Sequence, residues 1–345
     1  MKKIIFLAVL AVSMLIPFKI TIAAEINVVT TLTDYAYFAR EIGKDKVKTA
    51  SICQGDENVH FVRPKPSFVK LCQTADLFIG TGLDLELWVP DLLEKSANKN
   101  IQSGQSGYVA AADGVKMLEI PTVLSRSEGG LHVYGNPHIT VGPLNAFQII
   151  DNILIGLRKV SPENSEFFEK NHAELKKRLL EAIFGPNLPE IVGAEELVEM
   201  AQNGSLINFL KENKFKGEPL LEKLGGWLKK AMPLRGAKIA AYHRSWIYFT
   251  SLFGIETAAE IEPKPGIPPT PKHILEVIDI IKKENIKIIL SENFYDTKKV
   301  LHVAEKTGAK AVIVPTYVGG ETGADTYFKL VDLWLGRMLD AAESK

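Results

Sequence analysis

Short apolar runs alternate with amphipathic segments in the first part of the chain, and this alternation predicts its secondary structure. Strands are predicted at 26–30, 47–53 and 77–81, and helices at 34–42, 67–74 and 85–95. Strands that alternate with helices are typical of parallel βαβ units. The run LFIG at 77–80 is apolar at nearly every position, which indicates a sheet that is buried on both faces.

The alternation stops in the middle of the chain and then resumes. Residues 162–184 contain no glycine and no internal proline, and Ser161 and Pro162 are typical of a helix start. This pattern predicts one long helix. Beyond it, strands are predicted at 238–242, 255–261, 287–291 and 310–314, and helices at 271–284 and 297–307. We therefore predict an α/β fold with two parallel-sheet lobes, a long bridging helix and a ligand cleft between the lobes.

The first residues have the pattern of an export signal. Lys2 and Lys3 precede an apolar stretch at 4–18, and Ala23 and Ala24 precede the first acidic residue. This order is typical of a cleavable signal peptide, because the apolar stretch is short for a membrane span. We expect cleavage near Ala24 and a soluble periplasmic protein, with an uncleaved anchor as the alternative.

These patterns divide the chain into five parts. They are a signal peptide at 1–24, an N-terminal α/β lobe at 25–160, the bridging helix at 161–185, a helical insertion at 186–235 and a C-terminal α/β lobe at 236–345.

The charge balance argues against a nucleic-acid-binding protein, and the cysteine content leaves two structural alternatives open. The 41 basic and 41 acidic residues balance, so the chain lacks the net positive charge of a nucleic-acid-binding protein. Cys53 and Cys72 are the two cysteines. In an oxidising compartment they can form a disulfide, but two buried free thiols fit the sequence equally well.

Three of the seven histidines stand where a ligand site is expected. His60 follows the second predicted strand, His243 follows the strand at 238–242, and His138 precedes a helix that opens near Pro143. Ligands of open α/β sheets gather beyond the carboxyl ends of strands, so these imidazoles can converge. Neutral imidazole is a common zinc ligand, and three of them leave a fourth position on a tetrahedral ion.

The other four histidines are weaker candidates. His172 and His302 lie within predicted helices without a partner motif, and His273 lies in a first helical turn, so surface or structural roles are expected. His132 is close enough to His138 to be an alternative or auxiliary ligand, but the sequence GGLHVYG is also typical of a mobile loop.

The sequence blocks around these histidines resemble the zinc- and manganese-binding solute-binding proteins of bacterial ABC importers. GDENVHFVRPKPSFVKLCQTADLFIGTGLDLELW contains His60, NPHITVGP contains His138, and YHRSWIYFTSLFGI contains His243. The resemblance implies that these three residues bind one metal ion between two lobes bridged by a helix. It also implies small lobe movements and a monomer that delivers metal to an inner-membrane ABC permease.

The chain departs from the family pattern at the fourth ligand. Many members carry an Asp at the end of the last strand, where this chain has VPT at 314–316. The candidate replacements are Glu292, which is favoured, Glu321, Glu57 and water. Three imidazoles favour Zn²⁺ as the transported ion, whereas Mn²⁺, which remains possible, favours oxygen ligands.

Two other functions fit parts of the sequence. A secreted zinc hydrolase would use Glu292 or Glu321 as a general base, but nothing in the chain resembles a nucleophile elbow or a zincin motif. A binding protein for an organic solute would merely line its cleft with the histidines. We expect a metal-binding protein rather than an enzyme.

Overall fold

The computed structural model describes residues 25–121, 132–264 and 266–343. The predicted signal peptide at 1–24 lies outside these residues. Within the described part of the chain, no helix is both long enough and apolar enough to cross a membrane.

The first sheet contains four parallel strands in the order β2-β1-β3-β4. The strands are β1 Ile26–Thr30, β2 Val47–Ser51, β3 Leu77–Gly80 and β4 Tyr108–Ala110. The helices that accompany them are α1 Thr33–Gly43, α2 Pro66–Gln73 and α3 Val89–Ser96. All four residues of β3 are buried, as its apolar sequence predicts. Strand β4 was not predicted, because three residues are too few to show a period.

The middle of the chain is helical apart from one small hairpin. Its helices are α4 Asn145–Val160, α5 Ser165–Phe184, α6 Leu188–Val192, α7 Ala194–Asn203, α8 Leu206–Glu212 and α9 Gly226–Lys230. The hairpin pairs β5 Lys214–Phe215 with β6 Glu218–Pro219 and was not predicted. Helix α5 packs against α1, α4 and α9.

The long helix begins three residues later than predicted. Pro162–Asn164 forms a separate 3-10 turn, and α5 starts at Ser165. The expected cap does not form, because the Ser161 hydroxyl donates to the Glu163 carboxylate at 2.5 Å instead of accepting from the backbone.

The second sheet is also parallel, in the order β10-β9-β7-β8. Its strands are β7 Lys238–Ala241, β8 Glu256–Glu260, β9 Ile288–Glu292 and β10 Lys310–Val314. The remaining helices are α10 Ile247–Phe253, α11 Pro271–Lys283, α12 Thr297–Thr307 and α13 Tyr327–Glu343.

The two sheets share one topology. When the strands of each sheet are counted along the chain, both sheets have the spatial order second, first, third, fourth. The order reverses between β1 and β3 in one sheet and between β7 and β9 in the other. A crevice for a ligand forms beyond the carboxyl ends of the strands at such points. The predicted fold of two parallel-sheet α/β lobes is confirmed.

One hydrophobic core extends through both lobes. Phe38 of α1 packs on Tyr327 of α13 with ring centroids 4.9 Å apart, and the Tyr327 hydroxyl donates to the Thr140 carbonyl at 2.8 Å. Gly55 and Gly320 bring two loops into backbone contact, since a Cβ on Gly55 would lie 2.4 Å from the Gly320 nitrogen. This shared packing favours small lobe movements over a wide hinge closure.

The two cysteines are separate buried thiols. The Cys53 thiol donates to the Glu57 carbonyl at 3.4 Å, and burial raises the pKa of Cys72 to about 12. Of the two alternatives left open by the sequence, the structure has the free thiols.

Candidate metal centre

Four histidines meet between the lobes. Each offers one ring nitrogen, and these nitrogens all lie within 4.8 Å of one another. His60 lies in a 3-10 turn after β2, where its backbone N–H donates to the Asn58 side chain at 3.1 Å. His243 follows β7, whereas His132 and His138 precede α4. The group therefore contains the three histidines selected from the sequence, and His132 as well.

Three of these imidazoles are oriented through Nδ1 by an oxygen acceptor. The Nδ1 atom of His138 lies 2.8 Å from Asn136 Oδ1, and that of His132 lies 3.0 Å from Asp84 Oδ1. The Nδ1 atom of His243 forms a hydrogen bond with the Glu262 carboxylate. An acceptor at Nδ1 places the proton there and leaves the lone pair of Nε2 free, which is how proteins orient histidine ligands of metals.

The Nε2 atoms of these rings are turned away from the other hydrogen-bonding groups that the structure describes. Those of His60 and His138 are 3.0 Å apart, and those of His132 and His243 are buried with no hydrogen-bond partner among the described residues. Buried polar atoms without partners are costly, and several lone pairs that point at one place suit a cation. The donor set therefore fits a single metal ion.

Burial keeps two of these rings neutral. Burial, followed by repulsion from His243 and His132, lowers the pKa of His60 to about 3. Burial, followed by repulsion from His243, His60 and His132, lowers the pKa of His138 well below its usual range. A metal binds the neutral imidazole, so both ligands are ready without losing a proton.

An amide joins the site to both lobes. Asn136 accepts from His138, and its Nδ2 donates to the Arg244 carbonyl at 2.5 Å and to Glu119 Oε2 at 2.8 Å. The Tyr248 hydroxyl donates to the Asn136 carbonyl at 2.6 Å. The residue that orients His138 thus also bonds to the residue next to His243.

The carboxylates expected as fourth ligand are not among the converging atoms. Glu321 forms two hydrogen bonds with Arg337, at 2.6 and 3.0 Å, and Glu57 accepts from the Gln54 backbone at 2.9 Å. Glu292 is fully buried, and burial raises its pKa to about 7, but it is not in the group of converging atoms. His132 is the residue that joins the three predicted histidines.

The remaining histidines are outside the group. His172 Nε2 lies 2.6 Å from Asp151 Oδ1, and His273 Nε2 lies 2.9 Å from the Glu260 carbonyl. His302 is exposed on α12.

Asp84 and Glu262 are site residues that the sequence reasoning missed. Asp84 follows β3 and Glu262 follows β8, so both stand beyond the carboxyl end of a strand, as His60 and His243 do. This shared position is the signal that would have identified them.

Comparison with known proteins identifies the family. The family described as "Zinc-uptake complex component A periplasmic" (ZnuA) matches residues 28–183 and 211–341. The chain belongs to this family. It is a family of substrate-binding components of uptake systems rather than of enzymes.

Individual relatives of this ZnuA-family chain carry names with different metals. The iron-binding protein YfeA of Yersinia pestis is 27% identical over 317 residues, covering 90% of this chain and 84% of that protein. The high-affinity zinc uptake system protein ZnuA of Bacillus subtilis is 23% identical over 299 residues, covering 86% and 79%. The fold matches the SBP FpvC from Pseudomonas aeruginosa in complex with Mn²⁺ with a TM-score of 0.68 and 19% identity, over 92% of this chain and 99% of that one.

Proposed function

We propose that this protein captures a divalent transition metal in the periplasm and delivers it to the inner-membrane permease of an ABC importer. Family membership supports the transport role. The observation that supports metal binding is the convergence of imidazole Nε2 atoms, two of which are buried without a hydrogen-bond partner in the described part of the chain. The proposed ligands are His60, His138 and His243.

Zinc is the proposed cargo. The names of relatives include iron and zinc, so sequence similarity alone does not identify the transported metal. The converging atoms here are imidazole nitrogens, which suit zinc, whereas manganese favours carboxylate and water oxygens. At a given nitrogen site, affinity also rises from Mn²⁺ through Fe²⁺ towards the later metals.

Binding rather than hydrolysis is proposed because the carboxylates that contact the metal-site imidazoles are engaged and Glu292 is outside the converging group. A zinc hydrolase needs a general base that reaches a metal-bound water. Asp84 and Glu262 bond to Nδ1 atoms behind the imidazoles, and Glu321, one of the expected bases, is paired with Arg337. These contacts favour ligand-orienting roles over proton transfer.

The test is metal content and affinity of the periplasmic protein. Mature chain stripped with a chelator should bind one zinc in native mass spectrometry, and competition titration should rank zinc above Fe²⁺ and Mn²⁺. Replacing His60, His138 and His243 together by Ala should abolish this binding, while His302→Ala, which changes an exposed helix residue, should leave it unchanged. A triple variant with wild-type zinc affinity would exclude this site, and hydrolytic turnover by the zinc-loaded protein would favour the enzyme.

Export is part of the same proposal. The basic residues and apolar stretch at the start of the chain support cleavage near Ala24. Intact-mass analysis of the periplasmic protein should give a chain that begins near Glu25, and retention of Met1 would contradict cleavage.

A further inference from the structure

We propose that His132 is the fourth metal ligand and the residue that makes the site selective for zinc over manganese. This inference rests on the proposed function and adds a ligand that the three-histidine site does not include. Its basis is the geometry of His132 and the chemistry of the complete donor set.

The ring of His132 lies against the other ligands. It stacks on His60 with centroids 5.4 Å apart and an interplanar angle of 23°, and its centroid is 5.6 Å from that of His138. Its Nε2 is buried and has no hydrogen-bond partner in the described part of the chain. A histidine that merely belonged to a surface loop would direct this nitrogen to water.

Asp84 holds the ring in place with both carboxylate oxygens. Oδ1 lies 3.0 Å from His132 Nδ1, and Oδ2 accepts from the backbone N–H of Val133 at 3.1 Å. The two bonds fix the imidazole and the adjoining backbone together. The side chains of His132 and Asp84 are only 13% and 16% exposed, so water screens this contact weakly. A carboxylate at Nδ1 also makes the opposite nitrogen a stronger metal ligand.

With His132, every protein donor is an imidazole nitrogen. Four nitrogens complete a tetrahedral zinc site without an oxygen. Manganese favours oxygen donors and binds most weakly in the Mn²⁺-to-Zn²⁺ series, so a fourth nitrogen in place of a carboxylate increases the preference for zinc. The VPT segment at 314–316, where many family members carry an Asp ligand, contains no carboxylate. Asp84 acts as a positioning residue, because its oxygens bond to His132 and Val133.

The test compares His132→Ala and His132→Glu with the wild-type chain and with the His302→Ala control. Zinc and manganese affinities are measured by competition with a chromophoric chelator, and visible absorption of the Co²⁺ complex reports the coordination geometry. His132→Ala should weaken zinc binding by at least about tenfold. His132→Glu introduces an oxygen and should lower the zinc-to-manganese affinity ratio by at least about tenfold. Asp84→Asn should weaken zinc binding less than His132→Ala does.

Thermal unfolding of the metal-free proteins checks that the variants are folded. If wild-type protein binds zinc while His132→Ala has the same zinc affinity and the same Co²⁺ spectrum, His132 is not a ligand and the proposed function stands. If the wild-type chain binds none of the tested metals, the proposed function itself is wrong and this inference is wrong with it.

Discussion

The side chain of Asn136 hydrogen-bonds across the cleft to the backbone of Arg244, with 2.5 Å between Nδ2 and the carbonyl oxygen. The Oδ1 atom of the same amide accepts from His138 Nδ1 at 2.8 Å. A ligand carried by one lobe is therefore oriented by a group that bonds to the residue following His243 in the other lobe. The relative position of the lobes and the geometry of the metal site are linked through this one amide.

Asn136→Asp should weaken zinc binding by about ten- to a hundredfold, as the loss of a group behind a metal ligand commonly does. The new carboxylate still accepts from His138, but it no longer donates to the Arg244 carbonyl and it repels Glu119. Competition titration measures the change. Asn187→Asp is the control, because Asn187 is exposed at a helix start and makes no cap hydrogen bond. Unchanged zinc affinity in Asn136→Asp would show that the link is not functional.

Glu262→Gln tests the charge behind His243. The two carboxylate oxygens of Glu262 accept separately from His243 Nδ1 and from the Gly266 N–H, the latter at 3.0 Å. Glutamine has one acceptor oxygen, so it can keep the bond to His243 Nδ1 only by losing the one from Gly266, and it carries no negative charge. Because a carboxylate raises the basicity of the imidazole, we expect zinc affinity to fall by about tenfold. Isothermal titration calorimetry measures it, with Glu305→Gln on the exposed side of α12 as control. Equal affinities for the variant and the wild type would contradict an electrostatic role.

Asp34→Asn should change the pH dependence of stability. Asp34 is fully buried, its Oδ2 has no partner in the described structure, and burial raises its pKa from 3.8 to about 8. The folded chain keeps a proton that the unfolded chain loses above about pH 4, so the contribution of Asp34 to wild-type stability falls as pH rises from about 4 to 8. At about 1.4 kcal/mol per pKa unit, the loss is several kcal/mol.

Asparagine does not titrate and should remove this loss. We expect Asp34→Asn to gain stability relative to wild type between pH 5 and pH 9, measured by urea unfolding of metal-free protein. Asp279→Asn, an exposed change on α11, is the control. A wild-type-minus-variant difference that stays constant with pH would contradict the buried proton.

Zinc binding at pH 6 should release few protons. Burial lowers the pKa of His60 to about 3 and that of His138 further, so neither ring carries a proton to displace. Calorimetry in buffers of different ionisation enthalpy should therefore find at most about two protons released per zinc, rather than the roughly three expected at pH 6 of four histidines with an ordinary pKa near 6.5. Release of three or more would contradict neutral His60 and His138.

The lowered pKa values of His60 and His138 should also make the metal-free protein less stable towards acid. An unfolded histidine takes up a proton near pH 6.5, whereas folded His60 does so only near pH 3. The unfolded state binds more protons at this residue in this window, so the contribution of His60 to stability should fall as pH drops from about 6.5 towards 3.

The sequence alone determined the elements whose patterns are local. The strands β1 and β10 and the helix α12 begin and end at the predicted residues, because strand composition and helical periodicity are properties of neighbouring positions. The sequence also identified His60 and His243 as site candidates, since parallel strands bring their carboxyl ends to one edge of a sheet. The very short elements β4 and the β5–β6 hairpin carry no such pattern.

Only the tertiary structure decided the rest of the site. His132 reaches the other histidines through Asp84, a residue 48 positions away, and no local pattern reports that bond. Glu292 ends a strand, where the sequence predicts a ligand, yet its side chain is fully buried and outside the converging group. Whether a side chain at a strand end enters the cleft or the interior depends on strand register and on packing between elements far apart in sequence, and those contacts form only when the chain folds.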